Sequence, residues 1–221
     1  MHVYTAEDRI SKARKIESIL VDFFGYALEG KRILDVGCGS GHIAKYLAER
    51  NTVYGTDVID QVSENCRGFF PFKIVDTEIF PFPDDEFDLV ISNHVVAYIA
   101  NQRMHFSEIY RVLKRSGIAY FATPNRVFPI EPHYRIPLIN YLPNQLCLSF
   151  LKWLGKDEYD IYLPSYWRMK KLIRDSGFQF REYTVDVIRN PKRFHLQQKP
   201  ITLLPLCAAA ISPTNIFLLK K

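Results

Sequence analysis

Cysteine is scarce in this 221-residue chain, and the four present, Cys38, Cys66, Cys147 and Cys207, form no C-x-x-C pair and no metal-ligand spacing. The six histidines make no zinc motif either. A disulfide framework and a bound metal are therefore not expected, and a reduced, cytoplasmic protein is. No secretory leader is legible at the start. Met1-His2-Val3-Tyr4 runs straight into Thr5-Ala6-Glu7-Asp8, which reads as a helix N-cap. Long apolar runs are also missing: residues 201–211 are too short and too interrupted by proline to span a bilayer. There is no internal repeat and no low-complexity stretch. At this length a full core can be buried, and the reading is one soluble α/β domain over residues 1–221.

What is present is concentrated in Ile33-Leu34-Asp35-Val36-Gly37-Cys38-Gly39-Ser40-Gly41. A short apolar run reads as a buried parallel strand, and it breaks into three alternating glycines. His42 to Arg50 then has the apolar spacing of a helix. Strand, glycine turn and helix build a place where bare backbone N–H groups and a positive helix end meet a ligand. The dinucleotide version of this device wants glycine at the sixth position of G-x-G-x-x-G, where this chain has His42.

Further landmarks follow in order. Thr52-Val53-Tyr54-Gly55-Thr56-Asp57 is a β-prone run whose terminal acid lies twenty residues after Gly37, the separation that brings a carboxylate to a ribose. Residues 72–77 read as a third strand ending in Asp76. Residues 87–95 read as a fourth, after the acidic turn Asp84-Asp85-Glu86, expected to be solvated. Residues 108–125 read as a helix, a C-cap at Gly117, a fifth strand and a proline stop.

The Asp-x-Gly-x-Gly-x-Gly pattern, with these acids in order between residues 32 and 125, resembles class I S-adenosylmethionine (SAM)-dependent methyltransferases. The core is also similar to quinone-biosynthesis O-methyltransferases. The resemblance implies an α/β, doubly wound, mostly parallel seven-stranded Rossmann-like sheet, with an acceptor lid inserted after the fifth strand. It implies SAM as cofactor and S-adenosylhomocysteine as product. Asp35 would lie beneath the methionine part, and Gly37, Cys38, Gly39, Ser40 and Gly41 would form the loop. Asp57 and Val58 would meet the ribose, Asp76 and Thr77 the adenine, with Asn93 and His94 after the fourth strand. Cys38 reads as packing, since that position needs only a small residue.

The organisation follows. Residues 5–30 hold an N-terminal amphipathic helix, read over 5–28, with Ile10, Ile16, Leu20, Phe23 and Phe24 on one face and Gly30 past its end. Residues 31–123 form the cofactor core and 124–164 the lid. Residues 165–221 supply a helix over 165–176 closed by Gly177, a strand over 178–187 and a last strand over 215–219. Charge divides unevenly: residues 1–100 carry 10 Lys/Arg against 16 Asp/Glu, and residues 101–221 carry 19 against 8. The acidic half suits a cationic sulfonium. The basic half suits an anionic acceptor, an anionic membrane surface or RNA, unless it simply solubilises the chain.

Acceptor specificity is expected in the lid, whose first stretch places Asn125, Arg126, His133, Tyr134 and Arg135 among three prolines. Leu146, Phe150, Trp153 and Leu154 follow at helical spacing, a stripe that reads as core, greasy acceptor site or membrane contact. Methyl transfer is an in-line displacement, and an oxygen acceptor profits from a base. His94 is the first candidate and His133 the second, while His105 is expected to be structural or exposed. The acceptor is read as a small-molecule or lipid- or glycan-linked hydroxyl, bound by a monomer or homodimer. An RNA methyltransferase is the rival reading, but residues 92–95 lack the Asn/Asp-Pro-Pro-aromatic signature and no RNA-binding domain is legible. A non-catalytic SAM-binding module is the rival from another class.

Overall fold

A computed structural model describes residues 5–131, 135–155, 162–197 and 208–221. Seven strands form one sheet: β1 (Arg32–Val36), β2 (Thr52–Asp57), β3 (Phe72–Ile74), β4 (Phe87–Asn93), β5 (Leu113–Pro124), β6 (Gln179–Glu182) and β7 (Thr214–Lys220). Their order across the sheet is β3-β2-β1-β4-β5-β7-β6. Pairs among β1 to β5 are parallel, and β7 runs antiparallel between β5 and β6. The sequence order reverses between β1 and β4, the switch point at which open α/β sheets leave a crevice beyond the strand ends.

The helices are α1 (Ala6–Phe24), α2 (His42–Ala48), α3 (Gln102–Val112), α4 (Asn144–Trp153), α5 (Tyr166–Asp175) and α6 (Thr184–Arg189). Strand side chains alternate between two cores. Ile33, Val53, Leu89, Ile118 and Ile216 pack against α1, α2 and α6. Leu34, Val90, Phe121 and Phe217 pack against α3 and α5 on the other face. Burial on both faces is why these strands read as continuous apolar runs rather than alternating ones.

Local rules account for most boundaries. Thr5 and Asp8 form a capping box on α1: the Asp8 N–H donates to Thr5 Oγ1 at 3.2 Å and the Thr5 N–H to Asp8 Oδ2 at 2.9 Å. Ser165 caps α5 through the Arg168 N–H.

Several expectations need correction. α1 stops at Phe24, not at 28, because Gly25 takes the left-handed cap with φ 75°. β3 ends at Ile74, so Asp76 sits two residues beyond it on the outgoing loop. Gly117 is no helix cap. It lies inside β5, where the register with β4 slips between Phe87 and Leu89 and a Cβ would approach the Lys114 carbonyl to 2.9 Å. Residues 178–187 are half strand and half helix, for α6 starts at Thr184. The acidic turn is ion-paired as well as solvated. Arg111 holds Asp84 at 2.8 Å, Lys221 holds Asp85 at 2.7 Å, and Arg32 pairs with Glu86.

Candidate active site

The crevice at the switch point is a cleft of about 580 Å³. Gly37, Gly39, Asp57, Val58, Asp76, Thr77, Asn93 and His94, from four separate loops, all lie on its wall. Parallel pairing in the β3-β2-β1-β4 block is what brings them together, since every one of those strands ends at the same edge.

The glycine loop leaves β1 with Gly37, Gly39 and Gly41 all at positive φ. Gly37 is required twice over. Its φ is 65°, and a Cβ there would stand 2.5 Å from Val95 Cγ2. The loop is tied to the second strand end: the Gly39 N–H donates to Asp57 Oδ2 and the Val58 N–H to Asp57 Oδ1, each at 2.8 Å. Each carboxylate oxygen keeps a further lone pair for a ligand hydroxyl.

Asp35 lies behind the loop, 2% exposed, and its Oδ2 has no hydrogen-bond partner. Burial, with the nearby Asp57 carboxylate adding repulsion, pushes its carboxyl up to about 7. Cys38 is buried under the loop, its N–H donating to the Thr56 carbonyl at 3.0 Å, and burial pushes its thiol well above the ordinary range. Ser40 turns away from the cleft, its hydroxyl 2.9 Å from His42 Nδ1.

His94 follows β4 in the left-handed conformation, φ 65°, with its N–H donating to the Ala122 carbonyl at 2.8 Å. A non-glycine residue held there stores strain of about 1–3 kcal/mol, a frequent mark of functional loops. Several cleft residues were not singled out from the sequence, among them Gln61, Glu78 and Phe80. Tyr98 and Ile99 arrive on the turn after Val95 and line the wall. His105 is not exposed. It reaches the cleft from α3, buried, with Nε2 3.0 Å from Ser92 Oγ, and burial lowers it to about 4, so it is neutral near pH 7. Its place on the apolar face of α3, one residue before Phe106, was the available signal.

The lid candidates stand elsewhere. Asn125 is buried, its amide donating to the Ala210 and Ser212 carbonyls at 2.8 and 3.0 Å. Arg126 Nε donates to the Asn140 carbonyl at 3.2 Å. Arg135 is exposed with φ 55°. None of these three lies on the cleft wall. His133 and Tyr134 fall outside the described residues.

A doubly wound sheet with a glycine loop at its switch point and a carboxylate at the next strand end is the frame of a nucleoside-cofactor fold. Residues 34–121, two fifths of the chain, match the family model of the methyltransferase domain. A malonyl-[acyl-carrier protein] O-methyltransferase of Legionella pneumophila is 32% identical over 127 residues, which cover 52% of this chain and 45% of that one. A ubiquinone/menaquinone biosynthesis C-methyltransferase of Bordetella avium is 30% identical over 139 residues, 58% of this chain and 51% of that one. This chain thus spans about half the length of these curated relatives. The crystal structure of a SAM-dependent methyltransferase from Mesorhizobium loti superposes with a TM-score of 0.61 at 16% identity, covering 98% of each chain, and establishes the likeness of fold.

The cofactor of this class is SAM. The residues present suit it. Behind the loop the Asp35 carboxyl holds a buried oxygen with no hydrogen-bond partner among the described residues, a group a cation above it would favour in its charged form. At Gly37 and Gly39 the loop presents bare backbone to the cleft, and Asp57 keeps lone pairs there.

Proposed function

We propose that the protein transfers a methyl group from SAM to a hydroxyl on a small or lipid-linked acceptor that also carries an anionic group. The observation that carries this reading is the single cleft on which Asp57, Asp76, the glycine loop and His94 converge. In this reading Asp57 accepts from the ribose hydroxyls while its backbone donors hold the carboxylate in place. Asp76, exposed on the outgoing loop, accepts from the adenine amine. Asp35 sets a negative charge under the loop, where it favours a cation.

SAM supplies a methyl group on positively charged sulfur, and that charge is discharged as the methyl leaves. The protein aligns the acceptor oxygen and keeps competing water out. His94, at the end of β4, accepts the hydroxyl proton at an imidazole nitrogen. Neutral His105 and the apolar residues Val95 and Ile99 line the cleft with it. The anionic part of the acceptor is assigned to Arg135 on the lid, in the basic half of the chain. Arg126 has a second duty there, for it clamps the lid base through Asn140. The relatives matched in sequence include both O- and C-methyltransferases, so oxygen rests on His94.

Titration calorimetry with SAM, S-adenosylhomocysteine and NAD tests the cofactor: binding of NAD with no SAM signal overturns it. Incubation with methyl-labelled SAM and fractionated cell extract tests the acceptor. Label is expected in the small-molecule or lipid fraction, and label confined to RNA or protein refutes the reading. Arg135→Ala should then lower acceptor capture with SAM affinity unchanged.

A further inference from the structure

Among the described residues the cleft wall favours cations. Asp57, Asp76 and Glu78 line it, and Asp35 lies behind the glycine loop. The basic side chains on the same wall are His94 and His105, and His105 is neutral near pH 7. SAM is not only a cation. Beside its sulfonium and its ammonium it carries an α-carboxylate, which the lining carboxylates repel. That group needs a counter-charge from another side of the loop.

Helix α1 supplies one. Arg9 Nη1 stands 3.4 Å from the place a Cβ on Gly39 would take. Gly39 belongs to the cleft wall, and its N–H holds Asp57. Away from the cleft Arg9 lines a second hollow of about 590 Å³ with Ser40 and His42. The guanidinium therefore stands at the rim where the glycine loop separates the two. Its helix is fixed there by buried Ala13, Ile16, Ile19 and Leu20, which share a core with α2, and by the capping box on the first turn.

Arg9, Lys12 and Lys15 follow at three-residue steps, each a neighbour of the next on the helix surface. Burial, then the charges of Arg9 and Lys15, pushes the Lys12 ammonium down to about 8. Cations that crowd one another gain from an anion placed beside them. The acids at hand have other donors. Asp8 Oδ2 accepts from the Thr5 N–H at 2.9 Å, and Glu64, on the edge of the hollow, accepts from Arg67 Nε at 3.2 Å. A guanidinium has five N–H donors in a planar fork, so it can meet its helix neighbours and a carboxylate together.

We propose that Arg9 binds the α-carboxylate of SAM, which makes α1 a part of the cofactor site. The inference rests on SAM as the cofactor and on nothing about the acceptor. It makes Arg9 a specificity residue, separating SAM and S-adenosylhomocysteine from analogues that have lost the carboxylate.

SAM and decarboxylated SAM share the sulfonium and the amine and differ in that one group. Titration calorimetry of both ligands on the unaltered protein, Arg9→Met and Arg9→Lys tests the proposal. Arg9→Met keeps a long side chain and should weaken SAM about tenfold or more, the loss expected of a charge-assisted hydrogen bond, with decarboxylated SAM changed less than about twofold. Arg9→Lys should recover part of the SAM affinity, since it keeps the charge without the fork. Loss of both ligands by the same factor would make Arg9 a structural residue and overturn the proposal. Unchanged SAM affinity in Arg9→Met overturns it as well, and if that protein also transfers less labelled methyl, the guanidinium belongs to the acceptor instead.

Discussion

Asp35 makes cofactor affinity depend on pH in a direction that can be worked out in advance. In the free protein burial and the neighbouring Asp57 hold its carboxyl up to about 7. A cation bound against the loop favours the carboxylate and lowers its pKa from there, while burial persists. Binding near pH 7 then releases a proton. The free protein is about 3% ionised at this site at pH 5.5 and about 76% at pH 7.5, so SAM affinity should rise over that interval, by about 25-fold at most, and level off above it. Calorimetry in buffers of different ionisation enthalpy would report both the affinity and the proton released. Asp35→Asn should bind more weakly at pH 7.5 and show a flat profile. His94 shares the cleft, so the same titration on His94→Ala removes any contribution from its imidazole. An unchanged slope in Asp35→Asn, or an affinity that falls as pH rises, would refute the argument. The sign for folding is opposite. The folded pKa lies above the ordinary value of 3.8. Stability from this group is therefore whole below about pH 4 and lost as pH rises through 7, roughly 4 kcal/mol from a three-unit shift.

Three other outcomes follow from the same geometry. Asp57→Ala should weaken SAM binding by about 1.5–3 kcal/mol and also lower the melting temperature of the free protein, because the Gly39 and Val58 N–H groups lose their acceptor; unchanged affinity would mean that Asp57 does not meet the ribose. Gly37→Ala should cost about 1–2 kcal/mol from the left-handed backbone alone and displace Val95 besides. Adding Val95→Ala should recover part of the lost stability in thermal melts, and no recovery would deny that contact. His94→Ala should lower kcat by about 10²–10⁴-fold with SAM affinity retained if the imidazole takes the proton, whereas a mainly weaker SAM affinity would make it a packing residue.

The parts of the fold that could be read from the residues are those with a short-range cause. Strands β1, β4 and β5 are legible because burial on both faces gives them apolar runs, and Thr5, Ser165 and Gly177 announce helix ends through local hydrogen bonds or backbone freedom. Residues 178–187 show where this fails. Tyr183, Thr184 and Val187 suit an alternating strand and a helical face equally well, and a tertiary contact decides between them: Thr184 Oγ1 accepts the Ile216 N–H at 3.0 Å, at the start of α6. Gly117 misled in the same way, for its surroundings are set by β4, thirty residues earlier. At the cleft the glycine loop and the acids after β2 and β3 are legible by spacing along the chain. His105 and Tyr98 are not, since only the packing of α3 and the turn before it against the ends of β1 and β4 brings them to the wall.

The strand order also converts an asymmetry of the sequence into one of space. β3, β2, β1 and β4 all come from the first hundred residues and make one side of the sheet, while β5, β7 and β6 come from the rest and make the other. The fold does not keep the net −6 of the first part and the +11 of the second apart. Arg111, Lys114, Arg193 and Lys221 of the second part hold Asp84, Asp88, Asp22 and Asp85 of the first. The two halves of the sheet are stapled to each other by charge, and added salt should loosen that staple while leaving both apolar cores as they are.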